Sequence, residues 1–320
     1  MSRGKTAPAA ANPLRRGLWL GFLGIVIFSV TLPMTRLAVG TPEAPQMSSV
    51  FVALARAALA GGLSALYLLA TRAPWPRRQD WPPLLMVSLG VVLGFPLLTS
   101  MALRHVEAAH ASVILGLMPL LTAAAGALLH RQRPSAGFWF FAGLGSVLVM
   151  AFALIRSGAA TGQLRLQGAD LLVLGAALCA ATGYAFGGRL SQQMRAEHVI
   201  CWALLLTLPI TLPASWLMRP QTPVAPVAWG ALAYLGVFSM WLGFFAWYRG
   251  LALGGTVHVS QVQLLQPFLT MLFAVPLLAE KLDAVTVGFA LAVIATVLLG
   301  KKMSVSPAPA DPGREGRQAP

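Results

Sequence analysis

Apolar runs of about twenty residues, the length that crosses a bilayer as an α-helix, recur along this chain and are cut by short polar breaks. Ten segments meet that length: 18–39, 47–70, 82–103, 108–129, 136–155, 169–188, 197–217, 227–249, 256–279 and 284–300. The breaks "TRAPWPRRQDWPP", "RSGAATGQLRLQG" and "MRPQTPVAP" gather proline, glycine and charge, which end helices and favour exposed connections. The expected fold is an all-α integral membrane protein with ten transmembrane helices. A tail, 1–17, precedes the first span and another, 301–320, follows the last. The second is rich in Pro, Ala and Gly and has no hydrophobic pattern to offset the entropy of ordering, so it is expected to lack structure.

Composition supports this reading. Only 10% of the 320 residues are charged, against roughly 25% in a typical soluble domain. The net charge of +14 could suggest a nucleic-acid partner, but the positive residues sit in short turns and tails and form no basic stripe. With the N-terminus inside, the cytoplasmic loops and tails hold 16 Lys and Arg and the opposite loops 5, while Arg36 and Arg56 lie within spans. That is the bias expected of ten spans with both termini cytoplasmic, and the expected location is the cell membrane, the inner membrane of a bacterium. The first apolar run is too long for a signal-peptide core and reads as an uncleaved span. Cys179 and Cys201 lie inside spans and form no metal or redox motif.

One apolar stretch returns. Shifted by 148, residues 102–134 align with 250–282 without a gap, and His110/His258, Ser112/Ser260, Pro119/Pro267 and Thr122/Thr270 are among the identical pairs. The fourth and ninth spans are therefore equivalents, and each half, 18–155 and 169–300, holds five spans. An odd number inverts the second half against the first. Two inverted five-helix repeats are a recurring plan of secondary transporters, with the substrate near the midplane between the halves.

The residues also resemble a family. "RHVEAAHASVILGLMPLLTAAAGALLHRQRP" and "WYRGLALGGTVHVSQVQLLQPFLTMLFAVPLLAEKL" are similar to the signature helix of the EamA family in the drug/metabolite transporter superfamily, in which an acidic-basic pair closes the helix. Glu280-Lys281 stands at that pair in the second half, and Gln132 replaces the acid in the first, before Arg133. The resemblance covers about residues 18–300 and implies two EamA units, export of a small organic metabolite or drug, and a structural requirement for Glu280.

Several side chains are candidates for a substrate cavity. Arg56 lies inside the second span with no carboxylate in its own helix, and an intramembrane arginine costs enough to imply a purpose. Its alternatives are capping helix carbonyls or snorkelling. Ser260, Gln263, Pro267 and Thr270 line one face of the ninth span at roughly helical spacing, with Gln266 beside it, and Ser112, Pro119 and Thr122 are their counterparts in the fourth. These could face a cavity or bond between helices. Trp241, Phe244, Phe245 and Tyr248 share a face of the eighth span, open to an aromatic solute or to ordinary packing. Tyr184 and the pair Thr31 and Thr35 are further cavity candidates. His110 and His258 fall at opposite mouths, as gates or interfacial anchors. Pro33, Pro96, Pro209, Pro213 and Pro276 mark possible helix breaks.

All nine carboxylates lie in loops, tails or span ends, and no Walker loop, HExxH or GxSxG motif is present. The expectation is a secondary transporter and not an enzyme, with a small-molecule substrate, lipid as its surroundings, no cofactor, no metal and no nucleic acid. An amino acid or aromatic acid would satisfy both Arg56 and the aromatic face. Monomer or homodimer stays open. The rival readings are a sensor or scaffold whose polar groups are saturated internally, and a lipid-modifying subunit.

Overall fold

The computed structural model describes residues 12–40, 44–102, 114–156, 168–278, 284–300, 302–303 and 305–307. Its helices are α1 (Pro13–Ser29), α2 (Thr31–Val39), α3 (Ser49–Ala70), α4 (Trp81–Val87), α5 (Phe95–Ala102), α6 (Met118–Leu129) and α7 (Ala136–Arg156) in the first half. In the second they are α8 (Gly168–Leu190), α9 (Ala196–Leu217), α10 (Pro226–Tyr234), α11 (Gly243–Gly254), α12 (Thr256–Ser260), α13 (Gln266–Leu278) and α14 (Ala284–Gly300). Six helical stretches are long and apolar enough to cross a membrane: Pro13–Val39, Ser49–Ala70, Arg78–Thr99, Asp170–Leu190, Ala196–Leu217 and Pro226–Gly254. Shorter apolar helices, Met118–Leu129, Ala136–Phe152 and Val287–Gly300, stand where the fourth, fifth and tenth spans were expected.

Local chemistry sets the helix starts. The Asn12 side chain accepts a hydrogen bond from the Leu14 amide at 3.0 Å, and Pro13 needs no donor at the first helical position. The first helix thus begins five residues before the apolar run does. Ser48 caps α3 by accepting from the Phe51 amide at 3.1 Å. Gly255, at φ +80°, supplies the left-handed turn that joins α11 to α12.

Three of these long stretches and the ninth span are interrupted, and two of the interruptions correspond between the halves. Seven residues of π-helix, Ser88–Gly94, separate α4 from α5, and eight, Leu235–Leu242, separate α10 from α11. The 148-residue shift carries one onto the other within a residue. A π segment leaves backbone groups out of α-helical register and is often found at functional sites. In the ninth span a 3₁₀ segment, Gln261–Leu265, divides α12 from α13. Pro267 follows it in the first turn of α13, as Pro119 does in α6 and Pro96 in α5, where a missing amide costs little. The repeated proline is therefore where each helix restarts. The first span breaks at Val30, three residues before Pro33, which cannot donate to the Ser29 carbonyl.

Pro209 and Pro213 do not break their helix, contrary to the expectation: α9 runs through both. Pro276 likewise lies within α13.

The packing follows one plan used twice. α1 lies along α11 and the π segment Leu235–Leu242 against α3, while α5 lies along α8 and the π segment Ser88–Gly94 against α9. The pairs α3 with α9 and α7 with α14 map onto themselves under the exchange of halves. At the α1–α11 contact the backbones approach at glycines: a Cβ on Gly250 would stand 2.7 Å from the Gly21 amide nitrogen and 2.9 Å from the Gly17 oxygen. Where the π segment Ser88–Gly94 crosses α8, a Cβ on Gly90 would meet the Cys179 carbonyl and one on Gly183 would meet Val91.

Two short strands, β1 (Gln132–Pro134) and β2 (Val305–Pro307), pair antiparallel. Val305–Pro307 lies in the tail 301–320, and its three residues are those that pair with β1. The pairing places the loop after α6 and the chain after α14 at the same end of the bundle.

The Tyr234 hydroxyl donates to the Ile27 carbonyl at 3.0 Å, tying α10 to α1 just below the break at Val30. Tyr234→Phe is expected to cost about 1 kcal/mol of stability, the net worth of one such bond, read as a lower unfolding midpoint in detergent.

Candidate functional site

Where α1 gives way to α2, three polar side chains from three helices meet. Thr31 Oγ1 and Ser239 Oγ are 2.8 Å apart, and Arg56 Nη2 donates to Ser239 Oγ at 3.5 Å. Ser239 sits in the π segment of the second half and is 2% exposed, whereas Thr31 and Arg56 belong to the first half and are half-buried. The cluster is thus built across the two halves. Around it Thr35 Oγ1 donates to the Thr31 carbonyl at 2.7 Å, and Ser29 Oγ donates to the Ile25 carbonyl at 2.7 Å and toward the Gln266 carbonyl at 3.4 Å.

Arg56 is under-satisfied. Its bond to Ser239 is at the limit of hydrogen-bonding distance, and its Nε, fully buried, has no hydrogen-bond partner among the described residues. Among the described residues the ion pairs are those of Glu197 with Arg195 and Arg249, and no carboxylate meets Arg56. The Tyr184 phenol lies within electrostatic reach of the guanidinium. Its ring continues into Phe244 at 6.1 Å and Trp247 at 5.5 Å, and Phe28 meets Phe244 at 4.9 Å. These rings form one buried aromatic cluster on the Tyr184 side of the cation.

The other sequence candidates divide. Gln263, in the 3₁₀ segment, is 3% exposed and its Oε1 has no partner among the described residues, so it is a second buried polar group with unused capacity. Gln266 and Thr270 are half-buried. Ser260 and Thr122 do not fit the expectation of hydroxyls presented to a cavity. Each is fully buried and donates to its own helix, Ser260 to the Val257 carbonyl at 2.9 Å and Thr122 to the Met118 carbonyl at 2.8 Å.

Trp241 points toward the α3–α9 contact instead of the Arg56 cluster: its Nε1 donates to Cys201 Sγ at 3.3 Å and its ring meets Tyr67 at 5.9 Å. Trp247 and Tyr248 are wholly inside, which favours core packing over an interfacial belt.

His258 ties α12 to the chain after α14, its Nε2 3.3 Å from the Met303 carbonyl and its ring edge-on to Phe138. That is an anchoring environment. Pro119 and Pro267 are the restart prolines. Ser112, His110 and Glu280 lie outside the described residues.

Sequence reasoning missed Ser239. It is the only serine or threonine from Pro226 to Gly254, a signal hidden by the aromatic run around it.

These observations describe a multi-pass helical membrane protein made of two similarly packed halves that share a polar cluster. Residues 15–155 and 167–300 each match the EamA-like transporter family, and the chain belongs to that family. It is 43% identical over 295 residues to the protein named uncharacterized transporter YdeK of Bacillus subtilis (strain 168), covering 92% of this chain and 99% of that one. A second protein of that organism, named uncharacterized transporter YyaM, is 22% identical over 267 residues, 80% of this chain and 85% of its own. A solved crystal structure, described only as that of a protein, shares the fold with a TM-score of 0.69 at 19% identity, over 88% of this chain and 95% of its own. The chain is thus a membrane transporter by family and not an enzyme.

Proposed function

We propose that the protein is a secondary transporter that passes a small organic solute outward between its two halves, through ten membrane passes with both termini cytoplasmic. The observation that carries this reading is the Thr31–Ser239–Arg56 cluster, to which each half contributes a side chain. A site shared by two bodies changes its access when one rocks against the other. The inverted relation of the halves, inferred from five spans in each, makes the outward-open state a near mirror of the inward-open one. Interrupted helices support the reading, since π and 3₁₀ segments provide places where a long helix can bend without losing its ends.

The reading is tested with purified protein in liposomes. Preloaded vesicles should release a solute without nucleotide, selectively within a panel of amino acids, aromatic acids and cationic drugs. Arg56→Ala and Gln263→Ala should lose that release while remaining folded. The sensor reading predicts no release by folded wild-type protein, with the two substitutions affecting stability alone.

A further inference from the structure

The interior of this protein is asymmetric where its fold is symmetric. Under the shift of 148, with a residue of play, Arg56 falls on Ala203 or Leu204, both fully buried and apolar. Ser239 falls on Val91 and Gln263 on Leu115. A purely structural cluster at the axis of two similar halves needs no such inequality. A solute with one charged end and one apolar end does, because it presents different chemistry to the two halves.

We propose that Arg56 is the anchor for a single carboxylate on the carried solute, so that the protein handles organic monoanions with an apolar or aromatic body. This rests on the transport reading above and names the substrate class of the same site. Three features converge on it. The Nε and Nη2 hydrogens form the edge of the guanidinium that takes a carboxylate side-on with two parallel bonds. Here, among the described residues, Nε has no partner on that edge and Nη2 reaches only Ser239, at 3.5 Å.

The charge also fits one monoanion. Among the described residues no carboxylate neutralises Arg56 and no second cation accompanies it, so a carboxylate balances the site and a phosphate dianion would leave a buried negative charge uncompensated. Finally, the neighbouring groups suit the remainder of such a molecule. Ser239 and Thr31 carry hydroxyls beside the charge, and the rings of Tyr184, Phe244 and Phe28 form an apolar, aromatic cluster in the same interior.

The test uses benzoate, its neutral isostere benzamide and the cation benzylamine as probes, with calorimetric binding to the purified full-length protein and flux in liposomes. Benzoate is expected to bind wild type in the millimolar range and benzamide at least tenfold more weakly. Arg56→Gln is expected to erase the preference, and Arg56→Lys, which keeps the charge but loses the two-bond edge, to retain part of it. Unfolding curves establish that each variant is folded, and Arg56→Met serves if Arg56→Gln is not.

Equal binding of benzoate and benzamide, equal benzoate binding by wild type and Arg56→Gln, or no benzoate binding by folded wild type overturns the proposal. The two readings fail separately. Flux of benzylamine or benzamide without benzoate binding would sink the carboxylate site and leave transport standing. Arg56-dependent benzoate binding by a protein that moves no solute would leave the site and sink transport.

Discussion

Arg56→Met should make the empty protein more stable while ending its flux. Placing an arginine at the centre of a membrane helix costs about 2.5–3.5 kcal/mol on insertion scales. In this bundle the cost is poorly repaid, since Nε has no partner among the described residues and the bond to Ser239 is 3.5 Å long. Methionine keeps much of the length and packing of the side chain without the charge or donors. A residue retained for stability gives a lower unfolding temperature when replaced, whereas one retained for a ligand gives a higher one in the ligand's absence. The measurement is thermal unfolding of both proteins in the same detergent, beside flux in the same vesicles. A variant that unfolds earlier by several degrees would identify Arg56 as a structural residue.

The second large effect is expected at the α1–α11 contact. Gly250→Val should abolish folded protein in the membrane, because its Cβ meets backbone atoms, the Gly21 amide nitrogen and the Gly17 oxygen, which cannot rotate aside. Overpacking a core costs about 1–3 kcal/mol where side chains can adjust, and two helix backbones offer no such adjustment. Gly62→Ala is the matched control. Its Cβ would meet nothing within 4 Å, and an added methyl in a helix interior is worth about 0.5–1 kcal/mol. Membrane yield and melting of the two variants side by side should therefore move in opposite directions. Equal behaviour would mean that α1 and α11 are not in backbone contact.

What the sequence disclosed and what it hid follow from the physics of each feature. The repeat was legible because proline tolerates few positions. Pro119 and Pro267 survive at one register since each starts a helix after an interruption. Arg56 was legible because its charge stands alone in an apolar helix. The π segments Ser88–Gly94 and Leu235–Leu242 were not, since an added residue per turn leaves composition and hydropathy unchanged.

Ser260 and Thr122 are buried, but helical spacing could not reveal that each hydroxyl is used by its own helix, a habit of serine and threonine in apolar surroundings. Ser239 was hidden for the opposite reason. Its neighbours are aromatic, and only the approach of α2 and α3 gives its hydroxyl partners. Pro209 and Pro213 read as breaks although α9 continues through them.

The central claim, that a solute passes between the halves at this cluster, is tested most directly by tethering them there. Thr31→Cys with Ser239→Cys, in a chain whose Cys179 and Cys201 are alanine, places two thiols where the native oxygens are 2.8 Å apart. Solute release from liposomes is then measured before oxidation, after it, and after reduction. Replacing the two site hydroxyls should itself slow release, and the predicted result is that the release kept by the reduced variant stops on oxidation and returns on reduction. Undiminished release from the cross-linked protein would contradict the account.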